Sequence, residues 1–446
     1  MRVNLRLAAA CAAACIAAST VACGSGGGDT SSNQSTPATG AEGTTAATAA
    51  TTQAAQTSTC GQGNAQQATG APIKIGAIVT KQPGTDFTDV TRGAQAYFDC
   101  VNANGGINGR PVQYIVETEQ TDPGQVIGLA KKLIDNDKVV AMVGNISLID
   151  CSVNHDLYEK KDFSVISGGI AAECYGTPNI ASVNMGARFS SDGAAQALVR
   201  EGAKKLVLVT GNVPGIDYVV EGVKTVGAAL GVPVESFKEN VPIQDANSVA
   251  IKAVQAAGDG GGVVLNFTPP EALKILQAAQ QQGLQDRVKW GCSTPCNTDF
   301  LAQALGSSWN GKLLVNAEAR LPDHDGPDMA LYRDVMQRYG KGVPVGSFSQ
   351  FGFLQARITT EALAKIEGDV TPQTANAAIQ DVADFQTDLL CRPWYFGKAP
   401  LHVPNNVDLT VTPQDGKMVQ KEDCFPISDA EPAIKQVRQI EQQMGG

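Results

Sequence analysis

Apolar residues recur along this chain at two alternating periods, and that alternation limits the folds open to it more than any other feature. Ile73, Ile75, Ala77 and Val79 are apolar at every second position, the period of a strand. Ala94, Tyr97, Phe98 and Val101 then recur at helical spacing, until Asn104-Gly105-Gly106 ends the helix. Residues 112–117 read as a strand, and Val126, Ile127, Ala130, Leu133 and Ile134 as one face of a helix. Residues 139–143 form a short unbroken apolar run, as in a strand buried on both faces. A second cycle starts near Ser190 with a helix to Gly202, a strand at 206–209 and a helix to Gly231. It continues with a helix at 249–257, a strand at 263–265, a helix at 271–282 and strands at 288–290 and 313–315. Strands alternating with helices imply parallel sheets covered on both faces, so the chain reads as α/β with two similar lobes.

In open parallel sheets, ligands sit beyond the carboxyl ends of the strands. Those ends read Thr80-Lys81-Gln82, Gly144-Asn145-Ile146-Ser147, Ser167-Gly168-Gly169, Thr210-Gly211-Asn212, Asn266-Phe267-Thr268 and Gly291-Cys292-Ser293. Nearly all are small, hydroxyl or amide residues. Small residues let backbone N–H groups approach a ligand, and helix N-termini favour an anion such as a carboxylate. Short polar turns also serve any α/β loop; the six together point to a cleft between lobes.

The first residues read as an export address. Arg2 and Arg6 precede residues 7–22, a stretch of 16 residues without charge. That is short for a membrane span, which needs about 20 residues. A basic start, an apolar stretch and small residues before a break describe a secretory signal over residues 1–22. The break Thr20-Val21-Ala22-Cys23, followed by Gly24-Ser25-Gly26, looks like a bacterial lipoprotein signal in which Cys23 carries the lipid. Thr20 departs from the Leu usual at its position. Ordinary cleavage near Ala22 is the plainer alternative and would leave no anchor. Residues 24–71 are Gly, Ser, Thr, Ala and Gln with almost no large apolar side chain, and read as a flexible tether. As a random coil it would span roughly 35–40 Å.

Eleven cysteines are present; Cys11, Cys15 and Cys23 belong to the leader, which leaves Cys60, Cys100, Cys151, Cys174, Cys292, Cys296, Cys391 and Cys424. An even number in an exported chain points to disulfides. Sequential pairing is the simplest of the possible connectivities. For Cys292 and Cys296 a metal cluster is the rival, but no third or fourth ligand stands nearby in sequence.

Composition excludes other classes. The net charge is −10, which opposes nucleic-acid binding. Hydrophobic residues make up 43%, enough to build cores. Three dispersed histidines, His155, His324 and His402, give no metal motif and no Ser/His/Asp or Cys/His set. No G-x-S-x-G elbow occurs. Gly306-Ser307-Ser308-Trp309-Asn310-Gly311-Lys312 resembles a phosphate loop, but Leu313 stands where Ser or Thr would hold magnesium. No cofactor and no metal are expected, and no enzymatic activity.

The stretch Ile73-Lys74-Ile75-Gly76, then Gly93-Ala94-Gln95-Ala96-Tyr97 and Val101-Asn102-Ala103-Asn104-Gly105-Gly106-Ile107-Asn108-Gly109-Arg110, has a recognisable order. So have Asp122-Pro123, Lys132-Leu133-Ile134 and Val139-Val140-Ala141-Met142-Val143-Gly144. Together they resemble the leucine/isoleucine/valine-binding family of ABC-transporter substrate-binding proteins, over most of residues 72–425 and more weakly past Asp192. The resemblance implies the type I periplasmic-binding fold, two Rossmann-like lobes with parallel sheets joined by a three-crossover hinge. Lobe 1 would be 72–185 with 318–393, lobe 2 186–317 with 394–427, and 428–446 a C-terminal tail. It implies a monomer that captures a small polar solute, an amino acid or related carboxylate or amide, and hands it to an ABC permease.

Site residues follow from the same resemblance. The loop after Val143-Gly144 would offer Asn145 and Ser147 to a ligand carboxylate. The next loop would offer backbone groups of Gly169, Ile170 and Ala171, where Ala171 replaces the usual Thr. Beyond Val209 the family's Tyr-Gly is replaced by Gly215-Ile216, with Asp217 and Tyr218 next. The aromatic wall falls at Phe267 and Thr268. The acidic residue that amino-acid binders use for the ligand ammonium falls at Ser293, so either Asp217 substitutes or the ligand is not an α-amino acid. Each has a plainer reading: Ser147, Ser293 and Asp217 as helix caps, Phe267 as core. A sensory binding module without a permease, and an α/β enzyme, are the alternative functions.

Overall fold

The computed structural model describes residues 59–397, 401–429 and 431–443. The expected signal, Cys23 and most of the expected tether lie outside them. In chain order the elements begin with β1 (Ile73–Gln82), β2 (Thr85–Asp86), α1 (Thr88–Ala103), β3 (Val112–Glu119) and α2 (Pro123–Lys131). Then come β4 (Met142–Asn145), α3 (Asp150–Lys160), β5 (Val165–Ser167), α4 (Glu173–Gly176) and β6 (Ile180–Ser182). The chain continues through α5 (Gly186–Arg200), β7 (Leu206–Gly211), α6 (Ile216–Ala229), β8 (Val234–Glu239) and α7 (Ala246–Ala257). Next are β9 (Gly262–Asn266), α8 (Pro269–Gln281), β10 (Lys289–Cys292), α9 (Asp299–Leu305) and β11 (Leu313–Ala317). Last are α10 (Pro327–Tyr339), α11 (Ser347–Ala364), α12 (Pro372–Gln380), β12 (Val407–Gln414), β13 (Lys417–Pro426) and α13 (Pro432–Gln443).

Two sheets result. In the first, β3, β1, β4, β5 and β6 pair in that order, all parallel, and β2 folds back antiparallel on the end of β1. In the second the order is β8-β7-β9-β10-β11-β12-β13. Its central strands carry apolar runs such as Leu206-Val207-Leu208-Val209, and every residue of β7 is buried, as expected where helices cover both faces. The sheet is not purely parallel. β12 runs antiparallel to β11, and β13 antiparallel to β12, around the turn Asp415-Gly416. Both turn residues have positive φ, +50° and +80°, which suits the right-handed twist of a hairpin.

The chain passes between the sheets three times, after β6, after β11 and before β12. Asn405 in the third passage donates to the carbonyls of Val183 (3.2 Å) and Glu318 (2.8 Å) in the other two, so the crossovers are stitched together. α1 and α11 pack on the first sheet at unusually close range. Gly93 faces the Ser349 backbone and Gly352 the Val90 carbonyl, and a Cβ at either position would overlap them.

Two boundaries differ from expectation. Residues 59–71 do not belong to a free tether: Ala68 N–H bonds to Asn102 O (2.8 Å) and Gly70 N–H to Gly109 O (2.9 Å). A buried Cys60, bridged to Cys100, fastens the segment that its composition could not bury. The expected tail contains α13, whose Ile434 and Val437 are buried in one cluster with Tyr158, Phe163 and Ile180. The other bridges are Cys151–Cys174, Cys292–Cys296 and Cys391–Cys424, each between neighbours in sequence. Among the described residues no group of three or more His, Cys, Asp or Glu could hold a metal, and no helix is long and apolar enough to cross a membrane.

Candidate functional site

A chamber of about 920 Å3, its open mouth included, lies between the sheets. Its walls come from strand ends at the points where strand order reverses. In the first sheet these are the ends of β1 and β4, which supply Gly84, Thr85, Phe87, Ile146 and Leu148. In the second they are the ends of β7 and β9, which supply Thr210, Gly211, Val213, Pro214, Asn266, Phe267 and Thr268. The loop after β5 adds Gly169, Ile170 and Ala171, the loop after β10 adds Thr294 and Pro295, and α11 adds Phe348 and Phe351. Asn184, Gly186 and Glu318, from two crossovers, also line it. The wall is mainly apolar.

The lobes touch across this chamber. The Thr268 hydroxyl donates to Gly84 O (3.2 Å), and Asn297 Nδ2 to the Ser347 hydroxyl (3.0 Å). Gly84 has φ +79°, a conformation other residues rarely adopt, which turns the β1–β2 hairpin against Val241 and Pro242 of the second lobe. Outside these contacts a wider vestibule opens to solvent, with Phe300 and Val345 exposed on its rim.

Of the residues that the family resemblance nominated, Gly169, Ile170, Ala171, Phe267 and Thr268 line the chamber. Asn145, Ser147, Asp217 and Ser293 do not. Asn145 Oδ1 accepts the Ile78 N–H (3.0 Å) and its Nδ2 donates to Asp150 (2.9 Å). Ser147 donates to Glu119 (2.8 Å) and accepts the Asp150 N–H (3.0 Å), capping α3. Glu119 and Asp150 are buried carboxylates, and they claim both side chains for their own hydrogen bonds. Ser293 donates to Asn266 Oδ1 (3.0 Å); its successor Thr294 faces the chamber instead. Asp217 is exposed and paired with Lys238 of β8. Ile216 and Val219 of the same helix line the chamber, which leaves position 217 on another face.

Sequence reasoning missed Glu318. It lies just beyond β11 and is the one ionisable side chain among the described residues lining the chamber. Its Oε2 accepts the Met185 N–H (2.6 Å), while the neighbouring Ser190 and Thr294 hydroxyls bond to Asn316 Oδ1 (3.2 and 3.0 Å). Burial pushes the Glu318 carboxyl up to about 7. Glu318 thus caps the start of α5 from the adjacent crossover. The signal available was a lone carboxylate ending the apolar run 313–317, at the family's crossover. Phe348 and Phe351 were also missed, because they come from a helix rather than a strand end, and so was Phe87, which lies past the β1–β2 hairpin.

With this geometry in view, comparison with known proteins is informative. The profile of a family described as periplasmic binding protein matches residues 72–417. A segment of 78 residues is 30% identical to an amino acid binding protein of Pseudomonas aeruginosa, covering 18% of this chain and 21% of that one. The match thus spans about a fifth of that relative's length. Among solved structures, a branched chain amino acid ABC transporter protein from Thermus thermophilus, with bound valine, superposes with a TM-score of 0.73 at 16% identity. It covers 84% of this chain and 100% of that chain. A fatty acid ABC transporter substrate-binding protein from Thermomonospora curvata gives 0.71 at 18% identity, covering 84% and 96%. A solute binding protein from R. palustris in complex with 4-hydroxybenzoate gives 0.66 at 20% identity, covering 80% and 98%. At these identities the likeness is one of fold.

Proposed function

Because this chain belongs to the periplasmic binding protein family, we propose that it is the extracytoplasmic receptor of an ABC importer and that its solute has a largely apolar body. One observation carries the reading: a chamber built from the strand ends of both lobes, bridged by Thr268–Gly84 and lined mainly by apolar side chains. A solute between the lobes contacts both and so favours the closed arrangement. Closure brings the two lobe surfaces into one fixed relation, which a permease can read. The moving bodies are 72–185 with 318–393 and 186–317 with 394–427. The protein acts by binding, not turnover. Its cargo differs from a free branched-chain amino acid: the position that would hold an ammonium is Ser293, Asp217 points elsewhere, and burial opposes ionisation of Glu318, the one carboxyl among the described lining residues. It works as a monomer held at the outer face of the cell membrane through lipidated Cys23.

Thermal denaturation with benzoate, 4-hydroxybenzoate, hexanoate, L-leucine and L-valine tests the cargo. A compound at 100 times its Kd stabilises by about 2.7 kcal/mol. The reading expects that for an apolar-bodied compound; a shift with leucine or valine alone would refute the cargo assignment. Cys23→Ala should move the protein from the membrane to the soluble fraction, and retention at the membrane would refute the anchor.

A further inference from the structure

We propose that the solute is a monocarboxylic acid whose head group is held through one proton shared with the Glu318 carboxyl. The inference rests on the receptor reading above and adds the chemistry of the head group.

What the chamber lacks is a cation: among its described lining residues there is no Lys, Arg or His for a ligand carboxylate to meet. An unpaired carboxylate in a dry apolar site is costly. Yet the chamber does favour negative charge. Besides α5, whose start Glu318 caps, two helices start on its wall, α6 at Gly215 and α8 at Thr268, neither capped by the side chain of its first flanking residue. Their N-terminal ends stabilise an anion.

Glu318 is itself a carboxyl, and a second full negative charge beside it is unfavourable. Its Oε2 is already engaged by the Met185 N–H (2.6 Å), and the side chain is buried in a wall whose described residues include no cation. Kept neutral there, it offers a ligand a proton. The titratable and charged groups around it add no compensating cation. Asp408 on β12 and the Tyr175 hydroxyl on α4 interact with it electrostatically, and Asp192 on α5 interacts in turn with Asp408. Arg188 on α5 is bonded to Glu431 (3.0 Å) and to the Tyr218 carbonyl (2.8 Å), and Arg320 pairs outward with Asp423 (3.1 Å). Burial keeps the Glu318 proton in place up to about pH 7. A ligand carboxylate and a protonated Glu318 then share one proton and one negative charge, which the helix starts offset. No bond breaks. Above the Glu318 midpoint, binding must take up one proton from solvent.

An α-amino acid reverses the sign. Its ammonium would pair with ionised Glu318, so its binding would strengthen as pH rises. Calorimetric titration of benzoate and hexanoate from pH 6 to 9, beside benzamide, hexanamide and L-leucine, separates the two. Both acids are ionised throughout that range. The proposal expects acid affinity to fall tenfold per pH unit above about 7. It expects uptake of one proton per ligand, read from buffers of different ionisation enthalpy, and amide affinity that does not change with pH. Glu318→Gln keeps a donor and should bind the acids with the pH slope abolished. Acid affinity that is flat or rises with pH overturns the proposal, whatever the variant does. Leucine binding that strengthens with pH, with the acids silent, overturns it and leaves the receptor reading standing. Failure of all five compounds to bind overturns this proposal, and it also counts against the apolar-bodied cargo.

Discussion

The Thr268 hydroxyl donates to the Gly84 carbonyl across 3.2 Å, and the bond joins the second lobe to the first over the chamber. Neither partner is a charged group, so the contact is a latch of modest strength. Latches of this size let a ligand decide the equilibrium between open and closed forms. Thr268→Val keeps the shape and removes the donor. It should weaken solute binding about five- to tenfold, equivalent to about 1 kcal/mol, with the melting temperature nearly unchanged. Calorimetry and thermal denaturation on the same preparation check both halves.

Buried carboxyls predict an acid-stable fold. Asp192 and Asp408 are wholly buried, and among the described residues none of their side-chain oxygens has a hydrogen-bond partner. Burial holds both well above the usual carboxylate range, and burial also raises Glu318, to about 7. Folded carboxyls that stay protonated bind more protons than the unfolded chain. Their stabilisation is complete below about pH 4, the unfolded value, and is lost as pH rises through the folded values. Urea denaturation should therefore give greater stability at pH 5.5 than at pH 8.5. Asp408→Asn should flatten that difference, and stability that rises with pH would contradict it.

The Cys292–Cys296 bridge spans Thr294 and Pro295, both on the chamber wall. A loop this short gains about 2 kcal/mol from closure in the chain-entropy account. Replacing both cysteines by serine should lower stability by about that amount and weaken solute binding as well. Binding that survives the double substitution unchanged would show that the wall does not need the bridge.

Packing of α1 on α11 sets a sharp contrast between two glycines. A Cβ at Gly352 overlaps the Val90 carbonyl, whereas Gly128 on α2 has nothing within 4 Å. Gly352→Ala should cost about 1–3 kcal/mol by overpacking. Gly128→Ala should stabilise by up to about 1 kcal/mol through helix propensity. Chemical denaturation of the two variants measures the difference.

The parallel strands were legible because their apolar periods depend only on which faces are buried. Thus β1, β3, β7, β9, β10 and β11 lie close to where alternation placed them. The strand read at 139–143 begins later, at Met142, although Val140 and Ala141 already bond to Lys74 and Gly76. The β12–β13 hairpin was readable in principle, since Asp415-Gly416 between alternating segments is a hairpin signal. Site residues were harder. Main-chain positions such as Gly169 and Ala171 depend on strand ends alone, and these were placed in the chamber. Side-chain roles depend on competition. Ser147 and Asn145 are drawn off by Glu119 and Asp150, residues remote from them or hidden in the next helix. Glu318 escaped notice because its meaning arises only when one crossover meets another at Met185.

The most direct test is small-angle X-ray scattering of the exported, disulfide-bonded protein, alone and saturated with the panel compound that stabilises it most. The receptor account predicts a smaller radius of gyration with the compound bound, and a smaller response in Thr268→Val at the same concentration. A radius that is identical with and without a compound known to be bound would contradict closure of the two lobes over a solute.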